Sequence, residues 1–141
     1  MDLTTVNIVF WLYGLATLAT ILIGLLYATR RQVMPYHLKA LETSWDDIDP
    51  KYQFLLKALL NGGGYYGLSV GLFMLVLLVI PFRNGEDWAG YAIGLIGLVG
   101  TFPLGYIVYR VKKHTAGNPP LGVMIVINLL LIAGLIATVL G

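Results

Sequence analysis

The chain contains no cysteine, and four long stretches of it contain no acidic or basic side chain. The lack of cysteine excludes disulfides, thiol chemistry and cysteine-ligated metal sites. Ion- and proton-coupled carriers place Asp, Glu, Lys, Arg or His inside the membrane, so the uncharged stretches argue against coupled transport. These stretches cover residues 6–29, 58–82, 88–109 and 119–141.

The uncharged stretches are filled with apolar residues. Hydrophobic residues make up 58% of the chain and charged residues 11%, with a mean hydropathy of +0.82, whereas soluble domains carry about 25% charged residues. Each stretch reaches the roughly 20 residues that cross a bilayer core. Because the runs are continuous rather than alternating, barrel strands are excluded and helices are expected. The sequence therefore predicts an all-α, four-transmembrane-helix bundle in a single domain, residues 1–141, with helices at about 6–29, 58–80, 88–109 and 120–140.

The basic residues predict the orientation of the bundle. Five of the nine Lys and Arg residues lie in segment 30–57 and three in segment 110–113, so that only Arg83 lies on the other side. The positive-inside rule then places both connections in the cytoplasm and both termini outside. Segment 30–57 is predicted to be a long cytoplasmic amphipathic connection. The net charge of +2 is an orientation signal, and no nucleic-acid partner is expected. The acidic start of the chain predicts that the first helix is retained rather than cleaved as a signal peptide.

Local signals predict where the helices begin and end. Thr4 or Thr5 is expected to cap the first helix, and Asp49-Pro50 is expected to begin the second. Pro81 is expected to end the second helix, because proline does not continue a helix. Asp87 is expected to cap the third.

Aromatic and proline residues predict further local features. Pro35 is expected to open a short helix on the membrane surface, with Trp45 as its anchor. Trp11 and Tyr13 are expected at the outer membrane interface, where aromatic side chains are enriched. Pro103 predicts a kink in the third helix, since it removes a backbone hydrogen bond.

Small residues recur at steps of three or four in every predicted helix, which allows helix backbones to approach closely in a membrane. The sequence favours packing within one bundle. The alternative is that the ladder of the second helix faces another subunit. Small-residue ladders on all four helices of so small a protein predict a homo-oligomer or a membrane-protein partner. The residues predicted to pack in this way are Gly63, Gly67, Gly71, Gly90, Gly94 and Gly97.

Polar residues near the membrane boundary have a structural and a functional interpretation. Asn61 precedes the run Gly62-Gly63-Gly64, which is either a tight packing surface or a hinge with backbone open to a ligand. Asn128 is expected to bridge helices. His37 lies near an acidic cluster, but the spacing lacks the three or four convergent ligands that a metal needs. The cluster is expected to cap the second helix and to pair with lysines; it comprises Glu42, Asp46, Asp47 and Asp49.

Two resemblances to known groups can be seen. The segments 36–46 and 81–89 resemble small uncharacterised four-helix membrane proteins of bacteria, which implies a bacterial inner membrane and a multi-pass protein but no activity. The length and topology are similar to the membrane-associated eicosanoid and glutathione metabolism proteins, which implies a trimer that binds glutathione between subunits. In that resemblance the ligand-binding residues are Lys57, Asn61, Tyr65, Tyr106 and Arg110. The Glu expected at position 65 is a Tyr, and the basic residue at position 57 is a Lys.

No catalytic residue, cofactor or metal site is predicted. The leading functional hypothesis is a non-enzymatic accessory, assembly or regulatory membrane subunit that acts through helix packing. The alternatives are a binder of lipid or of a small apolar ligand, with a pocket between the third helix and the glycine-rich part of the second, and the trimeric glutathione-dependent enzyme.

Overall fold

The computed structural model describes residues 2–141, and this range is all-α, with no strand. Four long helices and one short helix follow each other along the chain. They are α1 (Leu3–Ala28), α2 (Pro35–Leu41), α3 (Pro50–Leu77, continued by a π-helical turn, Leu78–Phe82), α4 (Asp87–His114) and α5 (Leu121–Leu140). The four long helices are long and apolar enough to cross a membrane. The prediction of four membrane-spanning helices is confirmed, which indicates a multi-pass membrane protein.

The helix ends agree only partly with the sequence signals. Helix α1 begins earlier than predicted, because Asp2 and not Thr4 or Thr5 is the cap: its carboxylate accepts the Thr5 N–H at 2.6 Å. That hydrogen bond lowers the pKa of Asp2. The predicted start of α3 is confirmed, with the Asp49 carboxylate accepting the Lys51 N–H at 2.8 Å.

Two other helix ends differ from the prediction. Pro81 does not stop α3 but lies inside its π-helical turn, and the helix ends one residue later. A π turn spaces its hydrogen bonds more widely, which accommodates the missing proline N–H. Glu86 rather than Asp87 occupies the N-cap position of α4, and neither side chain makes a capping hydrogen bond there.

The connection between α1 and α3 contains only seven helical residues. Pro35 opens α2 as predicted, but the helix ends at Leu41 because Glu42 has a left-handed backbone, with φ of 52°. Trp45 therefore lies outside the short helix. Its carbonyl accepts the Gln53 side-chain amide at 2.8 Å, which ties the connection to the first turns of α3.

The long helices form an antiparallel bundle in which α1 packs against α3 and α5, and α4 packs against α5. At the α1–α3 crossing, Gly24 meets the backbone of Leu68, and Gly64 meets the backbone of Ala28. Along α4 and α5, Gly90 lies against Thr138 and Gly97 against Leu131. Both termini and the 83–86 turn are thus at one end of the bundle, here named the terminal end. The 29–49 and 115–120 connections are at the other, the connection end.

The packed core lies toward the terminal end. Its fully buried side chains include Val9, Tyr13, Met74, Ile93 and Leu131. The interface position predicted for Tyr13 is wrong: this side chain is 0% exposed, and its hydroxyl donates to the Gly90 carbonyl at 2.9 Å. Its ring lies against Gly134, where an added Cβ would be 2.5 Å from the ring carbon Cε1.

Candidate functional site

A cavity of about 550 Å³ occupies the connection end of the bundle. Its volume is within the range of about 300–1,000 Å³ that is usual for small-molecule sites. Helices α1, α3, α4 and α5 form its walls, and α2 lies across its end. The apolar wall residues include Ile23, Leu60, Val70, Leu104, Val108 and Val111.

The cavity exists because α3 approaches α1 closely and leaves α4. Gly64 and Gly24 lack a side chain where α1 and α3 cross, so the two backbones are in contact. Toward the terminal end, α4 still reaches α3, since Gly100 lies against Val70. Beyond Gly100, toward the connection end, the next turns of α4 line open space, and on the facing side Gly63 has no neighbour within 4 Å of an added Cβ.

Two tyrosines and a histidine form the polar end of the cavity. The hydroxyls of Tyr27 and Tyr36 are hydrogen-bonded at 2.6 Å, which joins the last turn of α1 to α2. The His37 ring lies beside the Tyr36 ring, with centroids 4.2 Å apart. Its Nδ1 accepts the Met34 N–H at 3.2 Å. All three side chains line the cavity, and they are named here the polar cap.

Burial disfavours charge on two side chains of the polar cap, Tyr36 and His37. Burial raises the pKa of Tyr36, and the hydrogen bond with Tyr27 raises it further. Burial lowers the pKa of His37 below its ordinary value of 6.5. Both shifts arise because burial disfavours the charged form. No Asp, Glu, Lys or Arg is among the cavity-lining residues of the described range, 2–141.

The remaining polar groups of the cavity wall are occupied by internal hydrogen bonds. The Thr20 hydroxyl donates to the Ala16 carbonyl at 2.8 Å. The Thr101 hydroxyl lies 2.9 Å from the Gly97 carbonyl and 3.1 Å from Asn128 Oδ1, while Asn128 Nδ2 donates to Met124 at 2.8 Å. The bridging role expected for Asn128 is thus confirmed. Away from the polar cap, the cavity offers a ligand mainly apolar contacts.

The residues that the sequence proposed as ligand-binding lie elsewhere. Asn61 is used structurally: its Nδ2 donates to the carbonyls of Tyr27, Ala28 and Arg30 at 2.8, 3.1 and 3.1 Å, which satisfies the end of α1.

The other four proposed ligand-binding residues are on the outside of the bundle and do not line the cavity. They are Lys57, Tyr65, Tyr106 and Arg110. Tyr65 is 60% exposed and Tyr106 is 58% exposed. A shared site for these residues between subunits stays a prediction.

The small-residue ladders pack mostly within this chain. Gly67 faces Gly24, and Gly71 faces Ile21, so both contact α1. Gly94 lies against Tyr13 and Leu135. Gly63 differs from the rest because it is exposed and has no neighbour within 4 Å of an added Cβ; it lines the cavity, as Gly67 also does. The close approach to Ala28 is made by Gly64, the residue after Gly63, whereas the sequence predicted that Gly63 would pack.

Some contributors to the site had no signal that stood out in the sequence. Tyr27 and Tyr36 are separated by the α1–α2 connection, and only the fold brings their hydroxyls together. Gly100 lines the cavity and lies against Val70, but it is not among the glycines that the sequence predicted to pack. The cavity itself lies where a pocket was expected, between Gly63 of α3 and the part of α4 around Pro103.

The acidic cluster beside His37 is used locally. Asp49 caps α3, and Asp47 accepts the Ser44 hydroxyl at 2.7 Å. Within residues 2–141, no three His, Asp or Glu side chains come together as metal ligands would. No protein-family model, curated protein or solved structure matches the chain.

Proposed function

We propose that this protein binds a lipid or another small apolar molecule in the cavity at its connection end. The observation that carries the proposal is the combination of volume, lining and position. A space of about 550 Å³ is lined almost entirely by apolar side chains and has one uncharged polar end. Such a space matches a molecule with an apolar body and a small polar group.

The absence of charge at the cavity wall favours this function over an enzymatic one with an ionic substrate. An ion would lose its hydration in the cavity without gaining a charged partner there, which is strongly unfavourable. The polar cap supplies hydrogen bonds but no acid–base pair joined by a hydrogen bond: the Tyr27 and Tyr36 hydroxyls bond to each other, and His37 bonds to a backbone N–H.

Bound lipid can be tested by filling the cavity. Leu104 lines it, so Leu104→Trp is expected to place an indole in the space that a ligand needs. Val99 is on the same helix, is 71% exposed and does not line the cavity, so Val99→Trp is the matched control. Native mass spectrometry from mild detergent should find lipid on the parent protein and on the control but not on Leu104→Trp. Equal lipid on both variants, or none on the parent protein, would reject the proposal.

The orientation and location that the sequence predicts are part of the same proposal. The protein lies in a bacterial inner membrane, with both termini outside and with the connection end in the cytoplasm. Eight of the nine basic side chains of the protein lie at the connection end, which supports this orientation. The chain has no cysteine, so Asn84→Cys and Asn118→Cys each add a single thiol. A membrane-impermeant maleimide applied to intact cells should label position 84 and not position 118.

A second candidate is the accessory or assembly subunit, and one observation favours it. Gly62 is exposed and has no neighbour within 4 Å of an added Cβ, and exposed Tyr66 is one helical turn away. Small residues on a lipid-facing surface allow another helix to approach closely. Gly62→Leu should then release a partner or a second copy from complexes purified in mild detergent. Co-purification that is unchanged by this substitution would remove the candidate.

The glutathione-dependent trimer is the third candidate, and its support is the resemblance in length and topology, with Lys57, Asn61 and Tyr65 at the positions that the resemblance implies. Asn61 already donates to three carbonyls of the same chain. Millimolar glutathione should raise the thermal unfolding midpoint if this candidate is right, and no change would remove it.

A further inference from the structure

We infer that the occupant of the cavity is an uncharged membrane lipid whose head group presents a carbonyl oxygen to the polar cap. This inference rests on the proposed function and specifies the chemical class of the ligand. It follows from which hydrogen-bonding positions the polar cap leaves free and from the charges that surround them.

The first free position is on His37. Its Nδ1 accepts the Met34 N–H, so the proton of the neutral ring lies on Nε2. Nε2 makes no hydrogen bond within residues 2–141, and it is not among the fully buried polar atoms that lack a partner. Nε2 is therefore a free donor on a side chain that lines the cavity.

The second free position is on the tyrosine pair. Two hydroxyls carry two protons, and the hydrogen bond between Tyr27 and Tyr36 uses one of them. The other proton remains to donate. A carbonyl oxygen has two lone pairs and accepts two such hydrogen bonds. When Tyr27 donates to Tyr36, the free proton is that of Tyr36, whose ring is adjacent to the His37 ring. One oxygen can then receive a bond from each.

Charge separates this lipid class from phospholipids and other ionic amphiphiles. No lining residue neutralises a phosphate, a carboxylate or an ammonium group. The neighbouring basic residues Arg30 and Lys39 are exposed and do not line the cavity. A charged head group would thus be held in an uncharged, partly buried site, which is strongly unfavourable. An ester carbonyl loses much less hydration free energy than an ion when it leaves water. Hydrogen bonds from the two donors compensate for that loss.

The test compares three probes with the same C18 chain, presented in mixed micelles to the full-length protein. Monooleoylglycerol has an uncharged ester head, oleyl phosphate has a charged head, and octadecene has none. Displacement of a bound fluorescent fatty alcohol gives the three affinities. Monooleoylglycerol is expected to bind about tenfold or more tightly than oleyl phosphate, because burial of an unpaired charge is costly.

Two histidine variants separate a head-group contact from a general effect. His37→Phe should weaken monooleoylglycerol by about twofold to tenfold, the loss of one hydrogen bond, and leave octadecene unchanged. His114 is exposed, is at the same end and does not line the cavity, so His114→Phe should change neither probe. The ratio of the two probes within each variant is independent of any loss of folded protein.

The outcomes distinguish failure of the carbonyl-lipid inference from failure of the ligand site itself. Equal affinity for monooleoylglycerol and oleyl phosphate, or a probe ratio unchanged by His37→Phe, would overturn the carbonyl-lipid inference while leaving an apolar ligand site. If none of the three probes displaces the fluorescent alcohol and Leu104→Trp alters nothing, the ligand site itself is rejected.

Discussion

The two ends of this bundle are built from the same four helices, yet one is filled and the other is open. At the terminal end, Tyr13, Met74, Ile93 and Leu131 are fully buried. Glycines on α4 and α5 lie against the side chains of Tyr13, Met74 and Leu131. At the connection end, α1 and α3 touch each other through their backbones, but α3 and α4 are separated by the cavity. Close approach of one pair of helices therefore does not close the bundle, because it draws α3 away from α4.

The contrast between packed and open surfaces within α3 can be tested at two adjacent glycines. An added methyl group at Gly64 would collide with the backbone of Ala28, whereas at Gly63 it would meet nothing within 4 Å. Gly64→Ala is expected to lower the free energy of unfolding by about 3 kcal/mol or more, since a backbone cannot move aside as a side chain can. Gly63→Ala should change it by about 1 kcal/mol at most and in the stabilising direction, from helix propensity. Unfolding by SDS in mixed micelles measures both. Similar values for the two would show that the close crossing is absent.

The contrast between the two ends can be tested with a matched pair of leucines. Leu131 is fully buried at the terminal end, and Leu104 lines the cavity. Leu131→Ala should cost about 3 kcal/mol, as a buried leucine does when its removal leaves a hole. Leu104→Ala should cost less than half of that, because the side chain already borders open space. If both variants lose the same stability, the connection end is as tightly packed as the terminal end.

The role of Asn61 separates a structural residue from a ligand-binding one. Asn61→Ala leaves the carbonyls of Tyr27, Ala28 and Arg30 without this donor, which should cost about 1–2 kcal/mol of stability. Lys57→Ala, one turn away and exposed, should cost nothing measurable. Affinity for an apolar ligand should be the same in both variants once folded fractions are matched. A loss of ligand affinity in folded Asn61→Ala would show that Asn61 contributes to ligand binding.

The smallest expected effect is the pH dependence of folding stability that arises from His37 at the connection end. Because burial lowers the pKa of His37 from its ordinary value of 6.5, the unfolded chain binds this proton more readily than the folded one. The folded state should therefore be most stable above about pH 6.5 and should lose stability as the pH falls below it. His37→Phe should remove part of this slope, and His114→Phe is the control. Thermal midpoints measured from pH 7.5 to 5 test it; an identical slope in His37→Phe would show that His37 does not contribute.

Much of the fold was predictable from the sequence, because the signals were local or additive. Each uncharged run marked a membrane-spanning helix, and Asp49-Pro50 and Pro35 marked two helix starts. Asp2 was missed as the cap of α1 because Thr4 and Thr5 are equally good caps in isolation, and only the observed backbone shows which carboxylate meets an N–H. Tyr13 was misplaced because an aromatic residue near a helix end fits the interface as well as the core.

The candidate site was much less predictable. A pocket near the glycine run and Pro103 could be expected from the small residues there, but its polar end could not. Tyr27 and Tyr36 lie nine positions apart in the chain and meet only because the connection turns back over the end of α1. The resemblance to the glutathione-binding family implied that Asn61 binds a ligand, and the fold instead uses its amide to cap another helix.

By itself, the sequence determined the number of spanning helices and the concentration of basic residues at one end, because hydropathy and charge act residue by residue. The tertiary structure decided which small residues are contacts and which are gaps. Gly63 and Gly64 are identical in the sequence, but one lines a cavity and the other meets a backbone. That difference depends on how α3 crosses α1, which is set by packing across the whole bundle and not by any single residue.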